Sequence, residues 1–163
     1  MVVDLSRTTD HPLGDRVTVT LHHLVDVLDE FADDVLTREH GVTFNQYLFL
    51  AVLCDLDRPD VTSLARCLRV SKAAVSKRVG SFVAAGWVRT HDDPRNARRV
   101  LLDLTPAGRT LVDTAGRRME QEFTSLFAGV TDVDLDRLHT DLTTVLATLR
   151  TALAARVPTS PST

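Results

Sequence analysis

This chain lacks long hydrophobic runs, a cysteine framework, closely spaced metal ligands and the motifs of catalysis. No apolar stretch approaches the roughly 20 residues that a membrane span requires, so no transmembrane helix and no membrane partner are expected. The first residues, with Asp4, Asp10 and Asp15, do not show the basic-then-apolar order of a secretory signal, and the expected location is cytoplasmic. Two cysteines, Cys54 and Cys67, are too few for a disulfide scaffold and are expected to stay thiols. Six histidines occur, but no two stand one helical turn apart and there is no Cys-x-x-Cys, so neither a metal nor a cofactor is expected. The absence of a phosphate-cradling glycine loop, a nucleophile elbow and paired carboxylates in a pocket context argues against an enzyme. No internal repeat is visible.

What is present is the makeup of an ordinary folding unit. A chain of 163 residues with 44% apolar and 25% charged residues has the size and composition to bury one core. The net charge of −3 does not suggest a polyanionic partner, but the charges are segregated. Between Val61 and Val100 stand nine basic residues against two acids, net +7, while the remainder holds ten basic and twenty acidic residues, net −10. A basic block inside an acidic chain is what a phosphate-facing surface requires. The plain alternative is a solvated basic face.

Residues 1–14 have no period and contain Pro12 and Gly14, so they are read as a flexible arm. Val17, Leu21, Leu24, Val25, Leu28, Phe31, Ala32 and Val35 recur at helical spacing and predict a long amphipathic helix from Asp15 to about Arg38, ending near Gly41. Thr43 and Gln46 form a capping-box pattern ahead of a helix over about 44–55. Thr62 is read as the cap of a short helix carrying Leu64, Ala65 and Leu68. Ser71 is read as the cap of the next, carrying Val75, Val79, Phe82 and Val83, with Arg69 and Val70 between them. Gly86 closes that helix, and Trp87 to Thr90 turn extended. A polar loop from Asp92 to Ala97 and a return strand from Val100 to Leu104 follow, before Pro106 opens a helix over about 107–127. In the last helix Leu135, Leu138, Leu142, Val145, Leu149 and Ala152 alternate steps of three and four, a narrow seam suited to a partner helix. A bundle within one chain is the alternative. The tail, 157–163, is expected to be disordered.

The order Val61-Thr-Ser-Leu-Ala-Arg-Cys-Leu-Arg-Val-Ser-Lys-Ala-Ala-Val-Ser-Lys-Arg-Val, then Ala85-Gly-Trp-Val88, Asp93-Pro94, Arg98 and Leu104-Thr-Pro-Ala-Gly108 resembles the MarR family of winged-helix regulators over about residues 15–155. The fold expected is mainly α with a small β-wing: a winged helix-turn-helix over 43–106, flanked by dimerisation helices over 15–42 and 107–156. The resemblance implies a homodimer on double-stranded DNA, one helix in the major groove and the wing in the adjacent minor groove. It also implies a repressor of a pseudo-palindromic operator, released by a small aromatic or phenolic effector. The chain departs from the family pattern in having Asn96 where the wing usually carries an acid, and Gly80 where a longer polar side chain is common.

With Val75, Val79 and Phe82 turned inward, Lys72, Ala73, Ser76 and Lys77 face outward and are the candidate DNA-reading residues. Contact with phosphate alone is the plainer role for the two lysines. Ser71 and Thr62 are assigned to helix N-termini that meet phosphate. Arg98 is assigned to the minor groove by its motif position, with Arg95 and Arg99 as phosphate partners; a structural brace from Arg98 to Asp93 or to a helix carbonyl is the alternative. Arg16, His22 and His23 are candidate effector contacts, against the plainer reading of solvated helix residues. Cys54 and Cys67 are candidate redox residues, with Cys67 read as a buried structural thiol. A redox- or metal-responsive regulator and a winged-helix protein adaptor without specific DNA binding are the competing functions.

Overall fold

A computed structural model describes residues 12–156, and within them every side chain except those of Ala97 and Arg98. The arm expected over residues 1–11 and the tail over 157–163 lie outside the described residues. The chain divides into two compact units, the first running to Gln121 and the second beginning at Glu122.

The first helix, α1 (Leu13–His40), starts two residues earlier than expected because Pro12 supplies a carbonyl for the first free N–H groups and has none of its own to satisfy. The last residues assigned to the arm are therefore helical. At the other end Gly41 takes the left-handed conformation, φ 67°, and its N–H bonds back to Thr37. Of α1, only Ala32, Val35 and Leu36 are buried. Helix α2 (Phe44–Asp55) has the capping box read from the sequence, Thr43 accepting from the Gln46 N–H and the Gln46 side chain accepting from the Thr43 N–H. The Asp33 carboxylate of α1 accepts from the Phe44 N–H, which ties the two helices at the start of α2.

Helices α3 (Val61–Leu68) and α4 (Lys72–Ala84) form the helix-turn-helix. Arg69 makes the sharp turn in a left-handed conformation, φ 54°, while the Val70 N–H bonds to Ala65. Gly86, φ 75°, turns the chain out of α4 into β1 (Val88–Asp93), which pairs antiparallel with β2 (Asn96–Leu104). Helix α5 (Pro106–Ala128) follows, its first turn held by Thr105, whose hydroxyl accepts from the Gly108 N–H. The core is built where these elements meet: Phe49, Leu50 and Leu53 of α2, Leu64 and Ala65 of α3, Val75, Val79 and Phe82 of α4, and Val88, Leu102 and Leu104 of the hairpin. The Phe82 ring lies between Phe49 and Trp87, at centroid distances of 5.0 and 5.9 Å.

The second unit holds the end of α5 and the helix α6 (Leu135–Ala154). Asp134 caps α6 through the Arg137 N–H. No residue of α6 is buried, and the members of its apolar seam Leu138, Val145 and Leu149 are all exposed.

Candidate nucleic-acid interface

Helix α4 is positioned by its apolar side. Val75, Val79 and Phe82 lie in the core, and the Ser71 hydroxyl accepts from the Ala74 N–H to cap the helix. That orientation leaves Ser71, Lys72, Ala73, Ser76 and Lys77 together on the exposed side, as the spacing predicts. Neither lysine has an ion-pair partner among the described residues. Arg66 and Arg69, on α3 and the turn, are also exposed and without such a partner. The helix-turn-helix thus presents cations that no carboxylate among the described residues neutralises.

The cap of α3 departs from the expectation. Asp60, in extended conformation, accepts from the Ser63 N–H at 2.7 Å, so Asp60 is the cap and Thr62 is the second residue inside the helix, half-buried. Serine, threonine and aspartate all cap well, and position in the chain alone did not choose between them.

The wing is longer and tighter than the sequence suggests. The expected six-residue loop contracts to a turn at Pro94 and Arg95, because Asp93 pairs with Asn96 and a bulge between Asp92 and Asp93 takes up residues 97–99 of β2. Asp93 is nearly buried, 9% exposed, and its Oδ1 accepts from the Arg95 N–H at 2.8 Å, closing the turn. The side chain of Arg95 is exposed at the tip, without an ion-pair partner among the described residues. Arg99, expected as a free phosphate partner, is engaged within the chain. Its Nε donates to Asp60 Oδ2 at 2.9 Å, and its Nη1 stands 3.4 Å from Asp93 Oδ2. Arg98 lies in β2, and its side chain is outside those described.

At the foot of the wing, Asp103 accepts from Arg89 of β1 and Arg109 of α5, both at 2.6 Å. The Arg89 hydrogen bond, together with the charges of Arg109 and Arg89, holds its carboxyl below the ordinary value. Asp60 is held low in the same sense, first by the Ser63 N–H and then by Arg99. Two basic members of the block, Arg89 and Arg99, therefore serve the fold. Lys72, Lys77, Arg66, Arg69 and Arg95 remain available to a polyanion.

The other candidates fall elsewhere. His22 is exposed and His23 half-buried on α1, and the Arg16 Nε is buried without a hydrogen-bond partner among the described residues. Cys67, read as a buried thiol, is exposed on α3, while Cys54 is half-buried. Leu64 and Ala65 centre the buried side of α3, and at 3.6 residues per turn Cys67 lies about a third of a turn outside it. Among the described residues no group of three metal-ligating side chains comes together, and no helix is long and apolar enough to cross a membrane.

An antiparallel hairpin following a helix-turn-helix, with the hairpin's base in the same core, defines a winged helix. Residues 40–99 match the model of the MarR family, and the resemblance drawn from the segment Val61 to Gly108 is borne out. A Bacillus subtilis protein, the uncharacterized HTH-type transcriptional regulator YhjH, is 29% identical over 131 residues, covering 72% of this chain and 75% of that protein. Among solved structures, wild-type MarR from Escherichia coli in its apo form is similar with a TM-score of 0.71 at 23% identity, over 83% of this chain and 98% of that one. Streptococcus pneumoniae FabT in complex with DNA is similar with a TM-score of 0.72 at 14% identity, over 85% and 98%. The mainly helical fold with a two-stranded wing is that of these proteins.

Proposed function

We propose that this chain is a DNA-binding transcriptional repressor that acts as a homodimer on a pseudo-palindromic operator. The observation that carries the reading is the outer side of α4, where Lys72, Ala73, Ser76 and Lys77 stand exposed and neither ammonium group has an ion-pair partner among the described residues. A helix so presented fits the major groove, lysine donating to guanine or phosphate and the Ala73 methyl meeting thymine. Thr62, at the start of α3, and Ser71, at the start of α4, belong with phosphate contacts. Arg95 at the wing tip, and Arg98 by its motif position, are assigned to the phosphates and minor groove beside it. The likeness to a FabT structure that contains DNA supports the same reading. A homodimer is supported by α6, which exposes an apolar seam from Leu138 to Leu153 and buries none of its own residues. Two copies would set their recognition helices about 34 to 36 Å apart, one turn of DNA. Location in the cytoplasm goes with a chromosomal operator. Release by a small aromatic or phenolic anion, with Arg16, His22 and His23 as contacts, rests on the family resemblance.

The test is a fluorescence-anisotropy titration against the intergenic DNA flanking the gene, beside scrambled DNA, at two salt concentrations. Preference for the native sequence, with affinity falling steeply as salt rises, is the expected result. Arg98→Ala should weaken native binding by about 1 to 3 kcal/mol while the dimer persists. Weak and equal affinity for both DNAs, with a second chromosomal search also empty, would turn the reading toward a protein adaptor.

A further inference from the structure

A two-stranded hairpin is only marginally stable alone, so the angle at which this wing stands to α4 has to be set by contacts outside the hairpin. Its base is held in the core by Val88, Leu102 and Leu104, and by the Leu102 N–H, which donates to the Pro59 carbonyl at 2.9 Å. Asp60 bridges to Leu101 just beyond. From there to the tip, one chain of charged contacts continues. Asp60 uses Oδ1 to cap α3 and Oδ2 to hold the Arg99 Nε; Arg99 reaches Asp93 Oδ2, and Asp93 Oδ1 closes the turn at Arg95.

We infer that Asp60, Arg99 and Asp93 form a strap that positions the wing turn relative to the recognition helix. The inference rests on the DNA-binding reading above and assigns Asp60 and Arg99 as positioning residues for the wing's DNA contacts. Two features carry it. Asp60 stands at the first turn of α3, which is joined to α4 by the short turn at Arg69 and Val70, so the same carboxylate is fixed to the helix-turn-helix and to the wing. Asp93 is nearly buried at the tip, and a carboxylate so placed is costly without a cation. The wing therefore cannot swing away from α3 without separating Arg99 from Asp60, and Arg99 in turn holds the Asp93 carboxylate that closes the wing turn. An ordinary surface ion pair would contribute little and position nothing. Here the pair spans 39 residues of sequence and joins two elements that must meet neighbouring grooves together.

Asp60→Asn retains an oxygen for the Ser63 cap and removes the charge that faces Arg99. Arg99→Gln removes the same pair from the wing side and leaves the cap untouched. In the full-length protein without DNA, amide hydrogen exchange at Arg95 and along residues 99–101 reads the wing, and exchange within α4 reads the recognition helix. Both variants should exchange about ten-fold faster in the wing with α4 unchanged, and should lose about ten-fold in preference for native over scrambled DNA. The ratio of the two affinities is the readout, because each variant alters net charge and so shifts binding to any DNA. Unchanged wing exchange overturns the strap whatever the DNA result. Faster wing exchange with the preference intact overturns the positioning role. If the wild-type protein shows no preference for the flanking DNA and the chromosomal search is also empty, the DNA-binding reading fails and the positioning role fails with it, while the exchange data still report whether the wing was held.

Discussion

Gly108→Ala is expected to destabilise this protein although alanine is the better helix former. A Cβ built at Gly108 would overlap the Trp87 carbonyl oxygen and lie 3.0 Å from its carbon. Both are backbone atoms, and neither side is free to move. The Trp87 oxygen accepts from the Thr105 N–H at 2.9 Å, the Thr105 hydroxyl donates to the Gly86 carbonyl at 2.6 Å, and the same hydroxyl accepts from the Gly108 N–H at 3.1 Å. Relief of the overlap has to lift the first turn of α5 from the start of β1 and break this set of bonds. Overpacking of a fixed site costs about 1 to 3 kcal/mol, and the backbone-on-backbone overlap places Gly108→Ala near the upper end, about 3 kcal/mol. At about 2 to 4 °C per kcal/mol for a chain of this size, the melting temperature should fall by roughly 6 to 12 °C. Circular dichroism melts read this directly. Gly116→Ala is the matched control, because there the Cβ meets only the Tyr47 hydroxyl, at 3.0 Å, the far end of a side chain that can shift. Gly80→Ala meets nothing within 4 Å in the middle of α4 and should gain about 0.5 to 1 kcal/mol from helix propensity. A melting temperature for Gly108→Ala equal to or above that of Gly116→Ala would refute the steric argument.

Two further outcomes are expected. Asp103 titrates below its ordinary value of 3.8 because of Arg89 and Arg109, so its contribution to stability is complete above that value and is lost as pH falls through the lowered one. Asp103→Asn should therefore be less stable than wild type at pH 7, by about 1 kcal/mol since both arginines are half exposed, and the gap should close on acidification; a gap that stays constant in acid melts would contradict this. Leu149→Asp, on the exposed seam of α6, should weaken self-association by about 2 kcal/mol or more, since a carboxylate would be desolvated without a partner. Sedimentation equilibrium giving the same association constant for variant and wild type would remove α6 from the interface.

The helical frame was legible because its signals are local. The Thr43 and Gln46 capping box, the inward set Val75, Val79 and Phe82, and the left-handed Gly41 and Gly86 each depend on a few neighbours in the chain. The candidate interface was legible to the same extent: once α4 is a helix with that apolar side, Lys72, Ser76 and Lys77 can only point away from it. The errors lie where contacts are distant. Thr62 is the cap expected from the sequence, but Asp60 fills that position, and its other carboxylate oxygen meets Arg99 from 39 residues on. Cys67 was placed in the core on spacing, but α3 is eight residues long and its buried side is set by what packs on it.

Patterning along the chain was therefore enough to determine the order of the elements, the apolar side of α4 and the concentration of positive charge between Val61 and Val100. Tertiary structure alone decided which of those cations are free. Arg89 and Arg99 are drawn to Asp103, Asp60 and Asp93 by the pairing of β1 with β2 and the approach of α3, while Lys72, Lys77 and Arg95 find no carboxylate among the described residues. A charge is counted from sequence, but its partner is chosen by proximity in space, and proximity across tens of residues is a property of the fold.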